Sequence, residues 1–243
     1  MLDIYTNPDL YDAIHDEISS DKKMITHYAK KCKGPVLELA AGTGRLAKYI
    51  IELGLPYTGI DTSKEFIEEA RNRFGDQGKF KIDNMQNFEH RDTYNFIFIG
   101  FNSFLHNLTD DEANNCLTSI YKHIIDDGIF FLSTFIPDPV FLYQGDDLHP
   151  ATSYFTYKNK KCRIMEKNTY QEVDQINHIS WTLEVDGILS TETYTFKQRM
   201  IPPHMMDILL SENGFVIKEK FGDWDHSVLD EFSPMQIYIC RKN

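Results

Sequence analysis

The stretch that decides the fold is VLELAAGTGRLA, residues 36–47. Its apolar start predicts a short buried strand, and the glycines at positions 42 and 44 predict a tight turn into a helix that ends at Gly54. Glycine lets the backbone turn sharply and lets a ligand come close to it, and a helix N-terminus favours a carboxylate. A glycine-rich turn alone fits a structural role equally well, so the rest of the chain has to decide between the two.

Further strands and helices alternate after this stretch. Strands are predicted at 57–60, 79–82, 94–99 and 129–135, with helices at 64–74 and 110–124 between them. Strands that alternate with helices at this interval predict parallel βαβ units with helices on both faces of the sheet. Two closing strands at 215–221 and 236–241 bring the total to seven. The predicted fold class is therefore α/β, a doubly wound, mostly parallel seven-stranded sheet.

The pattern changes near residue 140. Residues 154–200 consist of short alternating runs rich in β-branched and aromatic residues, with Asp186-Gly187 as a hairpin turn. This predicts an antiparallel β insertion at 140–200, serving as a lid on the acceptor side of a site or as a dimer surface. Residues 1–139 and 201–243 then form the main domain, in which residues 1–33 are a helical cap.

Ligands of open α/β sheets lie beyond the carboxyl ends of the strands. The second strand ends at Asp61, 19 positions after Gly42, so one helix and one strand return its carboxylate to the glycine turn. There it can accept hydrogen bonds from both hydroxyls of a ribose, while Thr62 or Ser63 caps the next helix. The third strand ends at Asp83, a candidate acceptor for an adenine amino group that also fits a simple turn cap. We expect Asp61, Asp83 and the turn to meet at one cleft.

Four segments together resemble the class I S-adenosylmethionine-dependent methyltransferases: VLELAAGTGRLA, YTGIDTSKEFIEEAR, KIDNMQNF and YNFIFIGFNSFLHNL. The resemblance extends over roughly residues 28–135, and it is strongest to the small-molecule subgroup with a β insertion after the fifth strand. It implies the Rossmann-like methyltransferase fold and S-adenosylmethionine as cofactor. The cofactor-binding residues that it implies are Tyr11, Glu38, Ala40, Gly42, Gly44, Arg45, Asp61, Thr62, Asp83, Asn84, Met85, Gly100 and Phe101.

Within that set, the turn from Glu38 to Gly44 would hold the methionine part of the cofactor. Asp61 would hold the ribose, and Asp83 and Met85 would hold and cover the adenine. The resemblance also implies that Tyr5 or Tyr11 closes over the cofactor. One departure stands out, because the family usually has glycine where this chain has Ala40.

A sulfonium methyl is already an activated electrophile, so the predicted reaction is an in-line displacement onto a small-molecule N or O acceptor. A protonated acceptor also needs a base. His106 follows the fourth strand and is the predicted candidate, ahead of His178 and His204. Each of these histidines also fits an ordinary packing or surface role.

Composition restricts the partners. A formal net charge of −12 argues against nucleic acid. The four cysteines have no metal spacing, so no metal site and reduced thiols are expected. We find no signal-peptide pattern and no apolar run of membrane-spanning length, which predicts a cytoplasmic protein. The insertion is also a candidate homodimer surface.

Two alternatives stay open at this point. The turn with Asp61 also loosely fits the dinucleotide fingerprint, so an NAD-dependent oxidoreductase is the second enzyme candidate. Ala40 and the lack of a clear catalytic base leave room for a catalytically degenerate cofactor-binding or scaffold protein.

Overall fold

The computed structural model describes residues 2–16, 18–145 and 147–243. Its helices are α1 (Pro8–His15), α2 (Ser20–Cys32), α3 (Ala47–Ile51), α4 (Lys64–Phe74), α5 (Asp110–His123), α6 (Pro139–Leu142) and α7 (Pro203–Glu212). Its strands are β1 (Val36–Leu39), β2 (Tyr57–Asp61), β3 (Lys79–Ile82), β4 (Tyr94–Ile99), β5 (Ile124–Phe135), β6 (His149–Pro150), β7 (Phe155–Tyr157), β8 (Lys160–Gln171), β9 (Ile176–Val185), β10 (Ile188–Arg199), β11 (Phe215–Phe221) and β12 (Met235–Lys242). Within those ranges, no helix combines the length and apolarity that a bilayer crossing requires.

The main sheet has seven strands in the order β11-β12-β5-β4-β1-β2-β3. β1 to β5 are paired in parallel, and β12 is antiparallel to both of its neighbours. The strand order reverses beside β1, where the chain crosses from one half of the sheet to the other. The carboxyl ends of β1, β2 and β4 therefore meet at the crevice where α/β sheets bind their ligands. The predicted doubly wound seven-stranded sheet is confirmed.

Alternation along the central strand explains why helices cover both faces. In β4, Phe96 and Phe98 pack into one buried cluster, whereas Ile97 and Ile99 pack into another on the opposite face. All four side chains are fully buried. A strand buried on both faces shows a continuous apolar run, as the sequence does here.

Two local predictions need correction. The helix after the glycine turn begins only at Ala47 and has five residues, because Gly42 and Gly44 adopt positive φ and keep residues 42–46 in consecutive turns. An extended helix therefore does not follow the turn. The fifth strand begins at Ile124 rather than 129, since Ile124 already pairs with Tyr94 before a shift in register.

The predicted antiparallel sheet is present. It pairs in the order β10-β9-β8-β6, with β7 also on β8. Asp186 and Gly187 connect β9 to β10, both at positive φ, as a type I′ hairpin turn requires. Direct pairing of Glu166 with Trp181, and of Trp181 with Tyr194, places these three side chains on one face of this second sheet.

Candidate active site

A cavity of about 730 Å³ lies between the two sheets. Ala40, Gly42 and Asp61 line it from the carboxyl ends of β1 and β2. The opposite wall is the inner face of the second sheet, and the start of the chain closes one side. The cavity is lined from that sheet and that segment by Tyr5, Tyr11, His15, Glu166, Ile179, Trp181, Phe196 and Gln198. Its volume is in the range of small-ligand sites.

Asp61 is fixed at the end of β2 by backbone donors. Its Oδ2 accepts from the Gly42 amide at 2.9 Å, and its Oδ1 accepts from the Ser63 amide at 2.9 Å. Burial raises the pKa of this carboxyl, while the amide hydrogen bonds oppose that shift. The Thr62 amide also bonds to this carboxylate, which keeps acceptor capacity for a ligand hydroxyl.

The helical cap is attached directly to this edge of the main sheet. Ser63 Oγ donates to the Tyr5 carbonyl at 2.6 Å, and Thr43 in the glycine turn donates to the buried carboxylate of Asp12. Asp12 also accepts from Arg73 of α4 at 2.6 Å. These bonds hold the first residues of the chain over the cavity.

Aromatic rings from the cap cover the edge of the cavity nearest the turn. Tyr11 lies 4.9 Å from Phe66 and 4.1 Å from His15, measured between ring centroids. His15 also contacts Phe101 at 4.9 Å. Burial lowers the pKa of His15 to about 4, so its ring is neutral at pH 7 and packs as an apolar surface.

The predicted site residues separate into two groups. Those that line the cavity are Tyr11, Ala40, Gly42, Asp61, Thr62, Met85, Phe101 and His106. Glu38, Gly44, Arg45, Asp83, Asn84 and Gly100 do not line it, and their predicted cofactor roles stay predictions. Arg45 is held away from it by Asp21 and by the Ile18 carbonyl at 3.1 Å.

Asp83 does not converge with Asp61 in the way the sequence suggested. Its backbone lies beside Asp61, because the Asp83 amide donates to the Asp61 carbonyl at 3.0 Å. Its side chain, however, accepts from the Asn84 amide at 2.9 Å and contacts His90 Nε2 at 3.2 Å. Both carboxylate oxygens therefore have protein partners outside the cavity.

His106 contacts a tyrosine of the cap. Its Nε2 lies 2.9 Å from Tyr5 Oη, and it also makes a hydrogen bond with the backbone of Lys197. Burial lowers the pKa of His106, which favours the neutral ring, and burial raises the pKa of Tyr5, which favours the neutral phenol. The neutral ring nitrogen that faces Tyr5 can therefore accept the phenolic proton.

The lining residues that sequence reasoning did not name include His15, Phe66 and Glu166. His15 and Phe66 lie on amphipathic helices, where they read as packing residues. Glu166 is in the second sheet, and which face a strand residue occupies depends on a register that the sequence does not give. Among the described residues, no three His, Cys, Asp or Glu side chains are grouped as metal ligands would be.

Ala40 has a strained backbone, with φ of 56°. The left-handed region costs a non-glycine residue on the order of 1–2 kcal/mol, and glycine gives back about 0.4–1 kcal/mol through its unfolded-state entropy. We expect Ala40→Gly to raise the free energy of unfolding by about 0.5–1 kcal/mol in urea titrations. Ala13→Gly in α1 is the control and should lower it by about 1 kcal/mol. Equal losses in the free energy of unfolding of Ala40→Gly and Ala13→Gly would contradict the proposed backbone strain at Ala40.

Glu38 makes stability depend on pH. Burial raises its pKa to about 8, while a hydrogen bond from Tyr57 opposes the shift. The folded state therefore keeps a proton that the unfolded chain loses near its ordinary value of 4.5. This stabilisation is complete below pH 4.5 and is lost as pH rises to about 8, with a slope approaching ~1.4 kcal/mol per pH unit.

The test compares the wild type with Glu38→Gln in urea titrations at pH 6 and pH 8. Between pH 6 and pH 8, the free energy of unfolding of the wild type should fall relative to that of Glu38→Gln, because glutamine does not titrate. Glu231→Gln, at an exposed position, should show the same pH dependence as the wild type. Parallel curves for wild type and Glu38→Gln would show that Glu38 is ionised in the folded protein.

The sheet order distinguishes between the two enzyme classes. The dinucleotide-binding fold has six strands in the order 3-2-1-4-5-6. Here the antiparallel β12 lies between β11 and β5, which departs from that order. The sheet order therefore does not support an NAD-dependent oxidoreductase.

Comparisons with known proteins agree. A family model described as a methyltransferase domain matches residues 36–128. A putative methyltransferase of Geobacillus sp. (strain WCH70) is 24% identical over 257 residues, which covers 96% of each chain. The crystal structure of an S-adenosylmethionine-dependent methyltransferase from Clostridium acetobutylicum superposes with a TM-score of 0.80 at 15% identity, covering 96% of both chains. A sugar N-methyltransferase, KedS8 from Streptoalloteichus sp., superposes with a TM-score of 0.74 at 12% identity, covering 97% of this chain and 92% of the other.

The solved structures share the fold with this chain, and the family model identifies the segment that carries the glycine turn and Asp61. The matched domain and the methyltransferases that the chain resembles support an S-adenosylmethionine-dependent methyltransferase.

Proposed function

We propose that this enzyme methylates an N or O atom of a small-molecule acceptor bound between its two sheets. The observation that carries the proposal is one continuous cavity with two different walls. Asp61 and Gly42 line one wall, and Trp181 and Phe196 of the second sheet line the other. His106 belongs to the same lining, so a candidate base faces the space that both walls enclose.

The first wall fits the cofactor. Asp61 offers its remaining acceptor capacity to the ribose hydroxyls, and the Gly42 backbone, without a side chain, allows close approach. Tyr11 and Phe66 offer aromatic surface and Met85 apolar surface to the adenosyl part. S-adenosylmethionine supplies the sulfonium methyl as the electrophile, so the protein's task is to hold the acceptor in line with it and to exclude water.

The second sheet then acts as a lid on the acceptor side, and residues 140–200 form the acceptor domain. Its inner face carries the aromatic side chains that line the cavity, whereas a dimer surface would have to use its outer face. A cavity of about 730 Å³ is within the size range of small-molecule sites. The sugar N-methyltransferase named above, with the same fold, supports this acceptor class.

Tyr5 and His106 form the proposed base. Tyr5 Oη accepts the acceptor's proton while it donates its own to His106 Nε2, which lies 2.9 Å away. The lowered pKa of His106 keeps the ring neutral near pH 7 and so available as a proton acceptor. The pair removes the proton that an alcohol or a protonated amine carries.

The test measures methyl transfer from S-adenosylmethionine labelled in the methyl group. Small amines, alcohols and phenols form one set of acceptors, and total RNA and denatured cell protein form the other. We expect label in one or more small molecules and none in either macromolecule. Label confined to RNA or protein would overturn the proposal without affecting the assignment of the cofactor.

A further inference from the structure

Glu166 is a buried carboxylate in the acceptor half of the cavity. Glu166 is 6% exposed, and it lines the cavity from β8, on the inner face of the second sheet. Asp61, by contrast, belongs to the cofactor wall. Burying a carboxylate is costly unless it is paired and well hydrogen-bonded, so its partners decide whether it serves the fold or a ligand.

The described partners leave much of this carboxylate free. Its Oε2 accepts from Trp181 Nε1 at 2.7 Å. His149 Nε2 lies 3.6 Å from Oε1, which is too far for a hydrogen bond but within ion-pair distance when the histidine is protonated. An ionised carboxylate has about four acceptor positions, and Trp181 is the one side-chain donor to Glu166 among the described residues. The remaining acceptor positions suit a donor on the ligand.

Aromatic rings line the same cavity as this carboxylate, and ring contacts connect its partner Trp181 to the proposed base. The Trp181 ring lies 4.9 Å from Phe196, and Phe196 lies 6.3 Å from His106, between ring centroids. Phe135 and Phe141 line the same cavity. A carboxylate next to aromatic faces is the combination that binds an ammonium group, by charge and by cation–π attraction.

We propose that the acceptor is a small molecule with an aliphatic amine, bound as an ammonium by Glu166 against Trp181. This inference rests on the proposed function and narrows its acceptor class. A neutral alcohol of the same shape lacks the charge that Glu166 requires, and an anionic acceptor is repelled by it. Glu166 is a binding residue in this account, and the proton is removed by Tyr5 and His106.

The binding test uses cyclohexylammonium and cyclohexanol, which share a shape and differ in charge. The chain has two tryptophans, so Trp224→Phe makes fluorescence a report of Trp181 alone. In the complex with S-adenosylhomocysteine, we expect cyclohexylammonium to bind at least 10-fold tighter than cyclohexanol. Glu166→Gln keeps an oxygen for Trp181 and should weaken ammonium binding by about 30-fold, with cyclohexanol unchanged.

Controls separate this proposal from the one it rests on. Glu166→Asp keeps the charge and should keep the preference for ammonium. This variant therefore shows whether weaker binding in Glu166→Gln comes from the lost charge or from a folding defect. Glu192→Gln, at an exposed position of the same sheet, should behave as the wild type. Equal binding of ammonium and alcohol to the wild type, or the same preference in Glu166→Gln, overturns the amine assignment. Failure of S-adenosylhomocysteine to bind overturns the proposed function instead.

Discussion

Asp61→Asn is expected to weaken the binding of S-adenosylhomocysteine by about 100-fold. Asp61 accepts from the backbone of Gly42 and Ser63, and its carboxylate is the group assigned to the ribose hydroxyls. Two hydrogen bonds to a charged group contribute about 1.5 kcal/mol each at the low end, which together correspond to a factor of about 100 in Kd. Asparagine also places an amide donor against one of the two backbone donors, so the turn itself loses support.

Isothermal titration with S-adenosylhomocysteine measures this loss directly. Asp76→Asn, an exposed change of the same kind near β3, is the matched control and should leave Kd within about 2-fold of the wild type, as surface changes usually do. A thermal melt of each variant separates lost binding from lost folding. A Kd for Asp61→Asn within about 3-fold of the wild type would falsify the assignment of Asp61 to the ribose.

Tyr5→Phe and His106→Gln are each expected to lower kcat by about 100-fold, within the usual range for general base catalysis. Tyr5→Phe removes one hydroxyl, which leaves His106 Nε2 without its donor at 2.9 Å. Both residues act on the same proton, so the double variant should lose little more than His106→Gln alone. The binding of S-adenosylhomocysteine should stay the same, since neither side chain is assigned to the ribose or the glycine turn.

Initial rates with the best acceptor from the transfer assay test this pair. His178→Gln is the control, because His178 was the other candidate in the second sheet and its side chain bonds to Gln171 at an exposed position. The lowered pKa of His106 also places the acid limb of the kcat profile below pH 6.5, the ordinary value for histidine. Full additivity of the two changes, or an unchanged kcat in Tyr5→Phe, would count against a shared proton.

The sequence was most informative about the buried parallel strands. The buried strands β1 and β4 begin and end where their apolar runs predicted, and β3, a mostly exposed edge strand, also has the predicted bounds. Asp61 was found because its spacing from Gly42 follows from one helix and one strand of ordinary length. Such features depend on local pattern and on the fixed geometry of a βαβ unit, and both can be read from one sequence.

The features that the sequence did not give depend on long-range contacts. Asp83 has the residue type and position of a ligand-binding acid, but its carboxylate contacts His90 and does not line the cavity, so its adenine role stays a prediction. Glu166 lies between Met165 and Lys167 in β8, and the sequence does not show which face of the sheet it occupies. The register that pairs Glu166 with Trp181 places it on the face that lines the cavity. The length of α3 was overestimated because its apolar spacing continues beyond the point where the backbone is helical.

A crystal structure of the enzyme with S-adenosylhomocysteine tests the central claim most directly. The ribose hydroxyl oxygens should lie within about 3 Å of the Asp61 carboxylate, with the product's sulfur directed towards the side of the cavity lined by His106 and Glu166. Ribose bound elsewhere, or a sulfur directed away from the second sheet, would contradict the assignment of the two walls.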